Sequence, residues 1–522
     1  MGGDDDVSTN LEGRTLWELI ERRVAATPDD RFGLDEDGRS LTFAEYEAAA
    51  ERAAAGLMDL GVGEGVNVSW ELPTWLESMV LVGALSRLGA VQNPMLPIYR
   101  AREVGFITRQ TRARLLVVPS VWKGFDFEAM ANEVAGEVDD LDVLVCDRSL
   151  PEGDPSTLPP PPPTPDDPAD LPVRWLFYTS GTTADPKGAQ HTDRTVMAAS
   201  TGMNAALDLR SDDVGALVFP FTHIGGIVWL LSGFMVGIGH LVVEAFDPVT
   251  TIPFMQREDT TLAGAGTPFH LAYLAAQRKD PSTPLFPNVR AFPGGGAPKP
   301  PQLHYDLKAE IGGVGIVSGY GLTECPILSM ARTTDPDDKL ANTEGPPTQG
   351  VQVRVVTLDG KPAGPGEEGE IRVIGPQLFR GYLDRSLDAD AFDDDGWFRT
   401  GDLGNVDADG YVTITGRLKD IIIRKGENIS AKEIEDVLYT HPKVGDVAVI
   451  GLPDPKQGER ACAVIAPKDP ADPLTFPEMS TFLRDQGLMV QKVPEQLEIV
   501  ESVPRNPSGK ILKHKLREQY SA

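Results

Sequence analysis

The segment Tyr178-Thr179-Ser180-Gly181-Thr182-Thr183-Ala184-Asp185-Pro186-Lys187-Gly188 gathers hydroxyls, glycines and one lysine into a single loop. Small residues let backbone N–H groups approach phosphate oxygens, hydroxyls add donors, and Lys187 supplies a mobile positive charge. Such a loop can wrap a polyphosphate, with ATP the natural occupant. It is not a Walker A loop, which ends in Gly-Lys-Ser/Thr, because here Pro186 precedes Lys187 and Gly188 follows it. Kinase and P-loop ATPase readings weaken accordingly. An ordinary Ser/Thr/Gly surface loop has the same composition, so the order of the residues has to decide. The loop must also hang from a rigid element, and the apolar run Trp175-Leu176-Phe177-Tyr178 before it reads as a strand.

That order, Thr-Ser-Gly-Thr-Thr-x-x-Pro-Lys-Gly, resembles the signature of the adenylate-forming (AMP-binding) enzymes: acyl-CoA synthetases, adenylation domains of peptide synthetases and beetle luciferases. Further motifs of that family follow in the expected order: Phe219-Pro220-Phe221-Thr222-His223, Gly296-Ala297-Pro298, Gly319-Tyr320-Gly321-Leu322-Thr323-Glu324, Thr400-Gly401-Asp402, Gly416-Arg417-Leu418-Lys419-Asp420 and Asn506-Pro507-Ser508-Gly509-Lys510. The set is collinear and covers most of the chain. The acyl-CoA synthetase branch is the part of the family it resembles.

The resemblance implies a two-step reaction. A carboxylate attacks the α-phosphorus of ATP, pyrophosphate departs, and the thiol of coenzyme A then attacks the acyl-adenylate. The protein must neutralise phosphate charge, hold attacker and leaving group in line, and exclude water. Glu324 is the expected Mg²⁺ ligand, since a hard cation bridging phosphates takes only one or two carboxylates. Thr323 can hydrogen-bond the α-phosphate. Thr179, Ser180, Gly181, Thr182, Thr183 and Lys187 would cradle the phosphates. By resemblance Tyr320 stacks on adenine while Gly296, Ala297, Pro298 and Gly321 line its edge. Asp402 resembles the carboxylate that accepts both ribose hydroxyls, with Arg417 supporting the ribose or the phosphates. His223 takes the place of a residue beside the acyl carboxylate, a buried structural histidine being the other reading.

Lys510 is singled out by the resemblance as the residue that reaches substrate carboxylate and α-phosphate during adenylation. Lys513 and Lys515 read as solvated tail charges. The loop Arg424-Lys425-Gly426-Glu427-Asn428 belongs to the same small domain, and there Lys425 and Gly426 would serve CoA in the second step. In the family this domain swings between the two steps, with Lys419 matching the hinge. Ala184 departs from the pattern, standing where glycine is common. Cys325 follows Glu324 directly, but no base accompanies it, and it reads as a small buried hydrophobe.

At 522 residues the chain should divide into at least two domains. Its formal charge of −30 argues against nucleic acid or an anionic membrane as partner, so anionic substrates must be caught by local donors. Cys146, Cys325 and Cys462 offer neither a disulfide framework nor metal-ligand spacing, and a reducing cytoplasm fits. The acidic start, Met1-Gly2-Gly3-Asp4-Asp5-Asp6, does not read as a signal peptide. The longest apolar stretch, 224–239, contains five glycines and is short of the ~20 residues a membrane span needs. It reads as a buried core element.

Helical runs over 16–25 and 43–60 alternate with strands over 66–70 and 115–118, the mark of mainly parallel sheets with helices on both faces. The run Pro159-Pro160-Pro161-Pro162-Pro163-Thr164-Pro165 reads as a stiff surface connector. From about 350 to 418 short β runs are punctuated by Asp359-Gly360 and Asp409-Gly410, which suggests a small β-rich subdomain. The expected fold is therefore α/β. A large N-terminal AMP-binding domain over 1–418 carries the phosphate loop 178–188, and a small mobile α+β C-terminal domain covers 419–522. The latter should hold helices over 431–438 and 478–486, a strand over 444–451 and a basic tail. No carrier domain is expected after Lys510.

The reading is an ATP-dependent carboxylic acid:CoA ligase that is cytoplasmic and requires Mg²⁺, with a homodimer left open. Gly294, Gly295, Gly296, Gly319 and Gly321 would leave a roomy cavity, and the apolar run 224–234 would line it, so a fatty or alicyclic acid fits. The stretch Asn93-Pro94-Met95-Leu96-Pro97-Ile98-Tyr99-Arg100 also resembles medium-chain and cyclohexanecarboxylate-type CoA ligases. An aryl acid, a carrier-protein thiol as acceptor, a luciferase-like oxygenase and a nucleotide-binding scaffold are the alternatives. The joint presence of Lys187, Glu324, Asp402, Arg417 and Lys510 argues against the scaffold.

Overall fold

A computed structural model describes residues 10–179, 186–296, 299–424, 427–506 and 509–521. Three sheets build the larger part. The first has six strands in the order Lys187–His191, Trp175–Thr179, Val91–Pro94, Asn67–Trp70, Leu115–Val118, Asp142–Val145. All are parallel except Lys187–His191, which returns antiparallel beside Trp175–Thr179. The two ends of the phosphate loop are therefore anchored as a hairpin, with Thr179 opposite Lys187. A four-stranded sheet (Val214–Leu217, Gly239–Val242, Arg31–Asp35, Ser40–Thr42) and a three-stranded sheet (Phe292–Gly295, Ile316–Tyr320, Ser329–Met330) complete this region.

Helices cover these sheets where the sequence pattern put them. Leu16–Ala26 is capped by Thr15, and Phe43–Asp59 opens with a capping box between Thr42 and Glu45, which satisfies orphan N–H donors at its first turn. The apolar stretch forms the helix Ile224–Val236, ended by Gly237 at φ 93°, before the strand Gly239–Val242. Because it is apolar on every side, this helix is buried all round. Ile227, Val228, Leu230, Leu231 and Phe234 all sit in the main core, where Phe234 packs on Phe32 and Tyr46 with ring centroids 5.4 and 5.1 Å apart. The proline run lies on the surface, tied down where Arg87 donates to the Pro159 carbonyl at 2.7 Å.

The β-rich portion is a four-stranded antiparallel meander: Gln352–Val356, Gly369–Ile374, Phe398–Val406 and Val412–Arg417. The final portion has its own sheet of five strands, with Gly458–Pro467 at its centre and Val444–Asp454 along one edge. Helices Ala431–Tyr439 and Phe476–Asp485 pack on one side with Ile422, Ile434, Leu438 and Leu483 in a separate core. The basic tail differs from expectation. Lys513–Tyr520 is a helix, anchored by Leu516 in a second small core and by a 2.7 Å ion pair between Lys513 and buried Glu435. Lys513 is thus a structural partner and not a solvated charge, whereas Lys515 is exposed. No helix among the described residues is long and apolar enough to cross a membrane.

Candidate active site

A cavity of about 350 Å³ opens where the β meander, the strand Ile316–Tyr320 and the final portion meet. Its walls include Gly296, Tyr320, Gly321, Asp402, Arg417, Lys419 and Lys510. Seven residues picked from five separate motifs thus share one space. Eight lysines and arginines line it against six aspartates and glutamates, so the cavity is locally basic inside a chain of net charge −30. Anions are drawn by this local field rather than by the molecule as a whole.

Asp402 and Arg417 face each other across neighbouring strands, and their register puts Arg417 Nε 2.7 Å from Asp402 Oδ1. Tyr320 Oη donates to the other oxygen, Oδ2, at 2.7 Å. The aspartate side chain is only 3% exposed, yet it is satisfied on both oxygens. Each oxygen keeps one lone pair for a further donor, so a pair of vicinal hydroxyls can still be received. Burial and the Asp402 charge hold the Tyr320 hydroxyl protonated, far above its ordinary range. Burial pulls the Arg417 guanidinium down, but Asp402, Tyr320, Asp420 and Glu324 more than restore it.

Lys510 enters from the last portion of the chain. Burial, and then the charges of Arg417 and Lys419, lower it to about 8, with Asp402 and Asp420 opposing. Lys419 is lowered for the same two reasons, burial and Arg417. His223 caps the helix Ile224–Val236, its Nδ1 accepting from the Gly225 N–H at 3.1 Å. The proton of the neutral ring therefore sits on Nε2. Burial and then the Lys510 charge lower this histidine to about 4, so it is neutral at pH 7.

Glu324 and Thr323 follow Gly321 in a tight loop closed by a pair of hydrogen bonds between Leu322 and Cys325. A side chain at Gly321 would bring its Cβ within 2.4 Å of the Ile327 nitrogen, so only glycine fits. His191 Nε2 donates to the Thr323 carbonyl at 2.8 Å, and the Glu324 carbonyl accepts from Phe379 N–H at 2.8 Å. Tyr382 Oη donates to Glu324 Oε1 at 2.6 Å, and Lys187 Nζ lies 5.2 Å from the centroid of the same tyrosine ring. One aromatic side chain thus links the lysine of the phosphate loop to the expected metal ligand. Among the described residues no group of three His, Cys, Asp or Glu side chains is placed to hold a metal ion. A single carboxylate with one oxygen engaged suits a phosphate-bridging Mg²⁺ that keeps most of its waters, and Glu324 would hold it.

Several partners were not singled out from sequence. Glu344 lines the cavity, accepts from Ser318 Oγ beside Tyr320, and lies 3.5 Å from the buried Lys299 ammonium, which donates to the Thr343 carbonyl at 2.8 Å. Tyr382 carried a signal only as an aromatic in a Gly-Tyr turn. No residue of the apolar run 224–234 is on the wall of this cavity, and most of its large side chains lie in the main core. Cys325 is fully buried and its thiol is pushed up by burial, which leaves no nucleophile. Ser180, Gly181, Thr182, Thr183, Ala184, Ala297, Pro298, Lys425 and Gly426 lie outside the described residues.

Comparison with known proteins agrees with this picture. The AMP-binding enzyme model matches residues 20–383 and the AMP-binding enzyme C-terminal domain model matches 433–510. The chain is 30% identical over 516 residues to the medium-chain fatty-acid–CoA ligase of Escherichia coli K12, covering 96% of this chain and 90% of that one. It is 31% identical over 529 residues to the salicyl-AMP ligase/salicyl-S-ArCP synthetase of Mycobacterium tuberculosis, covering 97% and 91%. The solved structure of ATP-bound MatB from Rhodopseudomonas palustris superposes with a TM-score of 0.85 at 28% identity, covering 97% of this chain and 99% of that one. The architecture is that of adenylate-forming enzymes, with a large N-terminal and a small C-terminal domain. The reaction is AMP-forming acid–thiol ligation with ATP, Mg²⁺ and coenzyme A. On the extent of these matches and the convergence of its motifs on one cavity, the chain belongs to the AMP-binding enzyme family.

Proposed function

We propose that the chain activates a fatty acid of medium length, or an alicyclic acid, and transfers it to coenzyme A. The observation that carries the reading is the meeting of Tyr320, Asp402, Arg417 and Lys510 around one cavity. In the first step a carboxylate oxygen bonds to the α-phosphorus as the bond to pyrophosphate breaks. Asp402 receives the ribose hydroxyls, Tyr320 lies against adenine with Gly296, Ala297, Pro298 and Gly321 at its edge, and Arg417 faces ribose or phosphate. Lys510 in its ammonium form places a charge where the attacking carboxylate and α-phosphate share theirs, with Thr323 as a further donor. Thr179, Ser180, Gly181, Thr182, Thr183 and Lys187 hold the leaving phosphates, and neutral His223 offers Nε2–H toward the acyl carboxylate. Bound Mg²⁺ supplies charge neutralisation across the phosphates, and Glu324 holds it.

In the second step the CoA sulfur bonds to the acyl carbon and AMP leaves. The division into 1–418 and 419–522, with a turn about Lys419 that withdraws Lys510 and presents Lys425 and Gly426 to CoA, belongs to this proposal. So does a cytoplasmic location, which three buried, unpaired cysteines support. A homodimer is a further element, to be checked by light scattering. The acid class is supported by the medium-chain ligase relative; the salicyl-AMP ligase at similar identity favours an aryl acid as second reading. A panel of medium-chain, alicyclic and aryl acids scored by AMP release with and without CoA tests it. CoA-dependent release on the fatty or alicyclic members is expected. Release confined to aryl acids, or without CoA dependence, would overturn it.

A further inference from the structure

The loop that carries Lys510 is held from one side by a single forked group. Arg505 Nε and Nη2 grip the Asp446 carboxylate at 3.1 and 2.8 Å, Nη2 lies 3.3 Å from Tyr439 Oη, and Nη1 donates to the Gly509 carbonyl at 2.6 Å. Asp446 belongs to the edge strand Val444–Asp454, and Tyr439, which itself donates to Asp446 Oδ1, ends the helix Ala431–Tyr439. The guanidinium therefore ties the peptide immediately before Lys510 to a long strand and a helix of the small domain. Within the loop, Lys510 N–H donates to Asn506 Oδ1 at 2.9 Å and Asn506 N–H to the Lys510 carbonyl at 2.8 Å, so residues 506 and 510 close on each other. Arg505 and Ile511, just outside, pair as an isolated bridge. Gly509, at φ 84°, sits so close to Pro268 that an added Cβ would lie 3.0 Å from that ring. Gly509 is thus held by Arg505 on one side and meets Pro268 of the large domain on the other.

We infer that Arg505, braced by Asp446 and Tyr439, is a positioning residue for adenylation: it aims the Lys510 ammonium through the Gly509 carbonyl. The inference rests on the reading of Lys510 given above. A rigid planar fork can hold a carboxylate and a carbonyl at fixed angles at once, and a lysine in its place cannot. A small misplacement of a charge-stabilising group is enough to cost a large part of its effect. Arg505 also borders the cavity, so direct contact with the nucleotide is the competing role.

The test uses the full chain and four variants: Arg505→Gln, Asp446→Asn, Lys510→Ala and the double variant Arg505→Gln/Lys510→Ala. Single-turnover acyl-adenylate formation at saturating ATP and acid should fall about tenfold or more in Arg505→Gln and in Asp446→Asn, on the scale of a misaligned group. Thioester formation from pre-made acyl-adenylate and CoA should stay within about twofold of the parent, as should the KM for ATP. The double variant should be no slower than Lys510→Ala alone, because an arm that aims an absent charge has nothing left to lose. Amine acylation followed by mass spectrometry should label Lys510 faster in Arg505→Gln, with exposed Lys515 as internal reference. Equal losses in both half-reactions, or a rise in the ATP KM matching the loss in rate, would overturn the inference and assign Arg505 a structural or nucleotide-binding role. Full adenylation in Lys510→Ala would instead refute the Lys510 reading beneath it.

Discussion

Tyr320 Oη donates a 2.7 Å hydrogen bond to Asp402 Oδ2, so the expected adenine-facing ring and the expected ribose carboxylate are one unit. Arg417 completes it from the opposite oxygen at 2.7 Å. A substitution at any of the three is felt by the other two.

Replacing Asp402 by alanine should therefore act on nucleotide binding and on stability together. The KM for ATP is expected to rise tenfold or more, about the worth of a lost charged hydrogen bond, while the KM for the acid changes little. Thermal denaturation should shift downward as well, since Tyr320 and Arg417 lose their partner. Tyr320→Phe removes one donor alone and should show a smaller effect in the same direction. Steady-state kinetics with each substrate varied in turn checks both; equal rises in the two KM values would make Asp402 purely structural.

Tyr382→Phe deletes the 2.6 Å hydrogen bond to Glu324 without changing the ring that faces Lys187. The Mg²⁺ concentration needed for half-maximal AMP release should rise about tenfold or more, as for an outer partner of a metal ligand. Glu324→Gln should lose most metal-dependent turnover, with circular dichroism unchanged. A Tyr382→Phe enzyme with the parent's Mg²⁺ curve would detach this tyrosine from the metal ligand.

His191, His240 and His270 are buried and His223 is partly so; all four are lowered to about 4, desolvation being the main cause in each. The sign follows from linkage. An unfolded histidine binds its proton near pH ~6.5 and these folded ones only near 4, so stability is complete above pH ~6.5 and drains away as pH falls toward 4. Each group contributes a slope of up to about 1.4 kcal/mol per pH unit in that window. His240 is the sharpest case, because among the described residues neither ring nitrogen has a hydrogen-bond partner and a Cβ at Gly233 would lie 2.4 Å from Nε2. Denaturant midpoints measured at pH 7 and pH 5 should fall steeply for the parent and less for His240→Leu. Parallel lines for the two proteins would mean His240 does not titrate as described.

Much of this was legible from residues alone. Strand Leu115–Val118 and helices Leu16–Ala26 and Phe43–Asp59 announce themselves by their apolar patterns, and five of the motifs each put residues on the cavity wall. What the sequence hid has physical reasons. Tyr382 reaches Glu324 across 58 positions, and Lys513 meets Glu435 across two elements, neither of which a local pattern can show. The helix Lys513–Tyr520 is short and polar, so its burial of a single leucine gives almost no amphipathic signal. The helix Ile224–Val236 was legible as a core element, since a helix apolar on all sides is buried.

Lys510 is lowered to about 8, by burial first and by Arg417 and Lys419 next, so its charge is present below that pH and lost above it. Single-turnover adenylation by the free enzyme should accordingly decline as pH rises through about 8. Bound ATP, being anionic, should push the decline upward at saturation. A flat profile between pH 7 and 10 would show that this ammonium does not act in the step.

The division of labour is tested most directly by measuring the two half-reactions separately in Lys510→Ala. Acyl-adenylate formation should fall by roughly 10²-fold or more, the scale for loss of a group that stabilises developing charge. Pre-made acyl-adenylate plus CoA should still give acyl-CoA at close to the parent rate. Equal losses in both steps would contradict the account, making Lys510 a structural lysine rather than the one that serves adenylation alone.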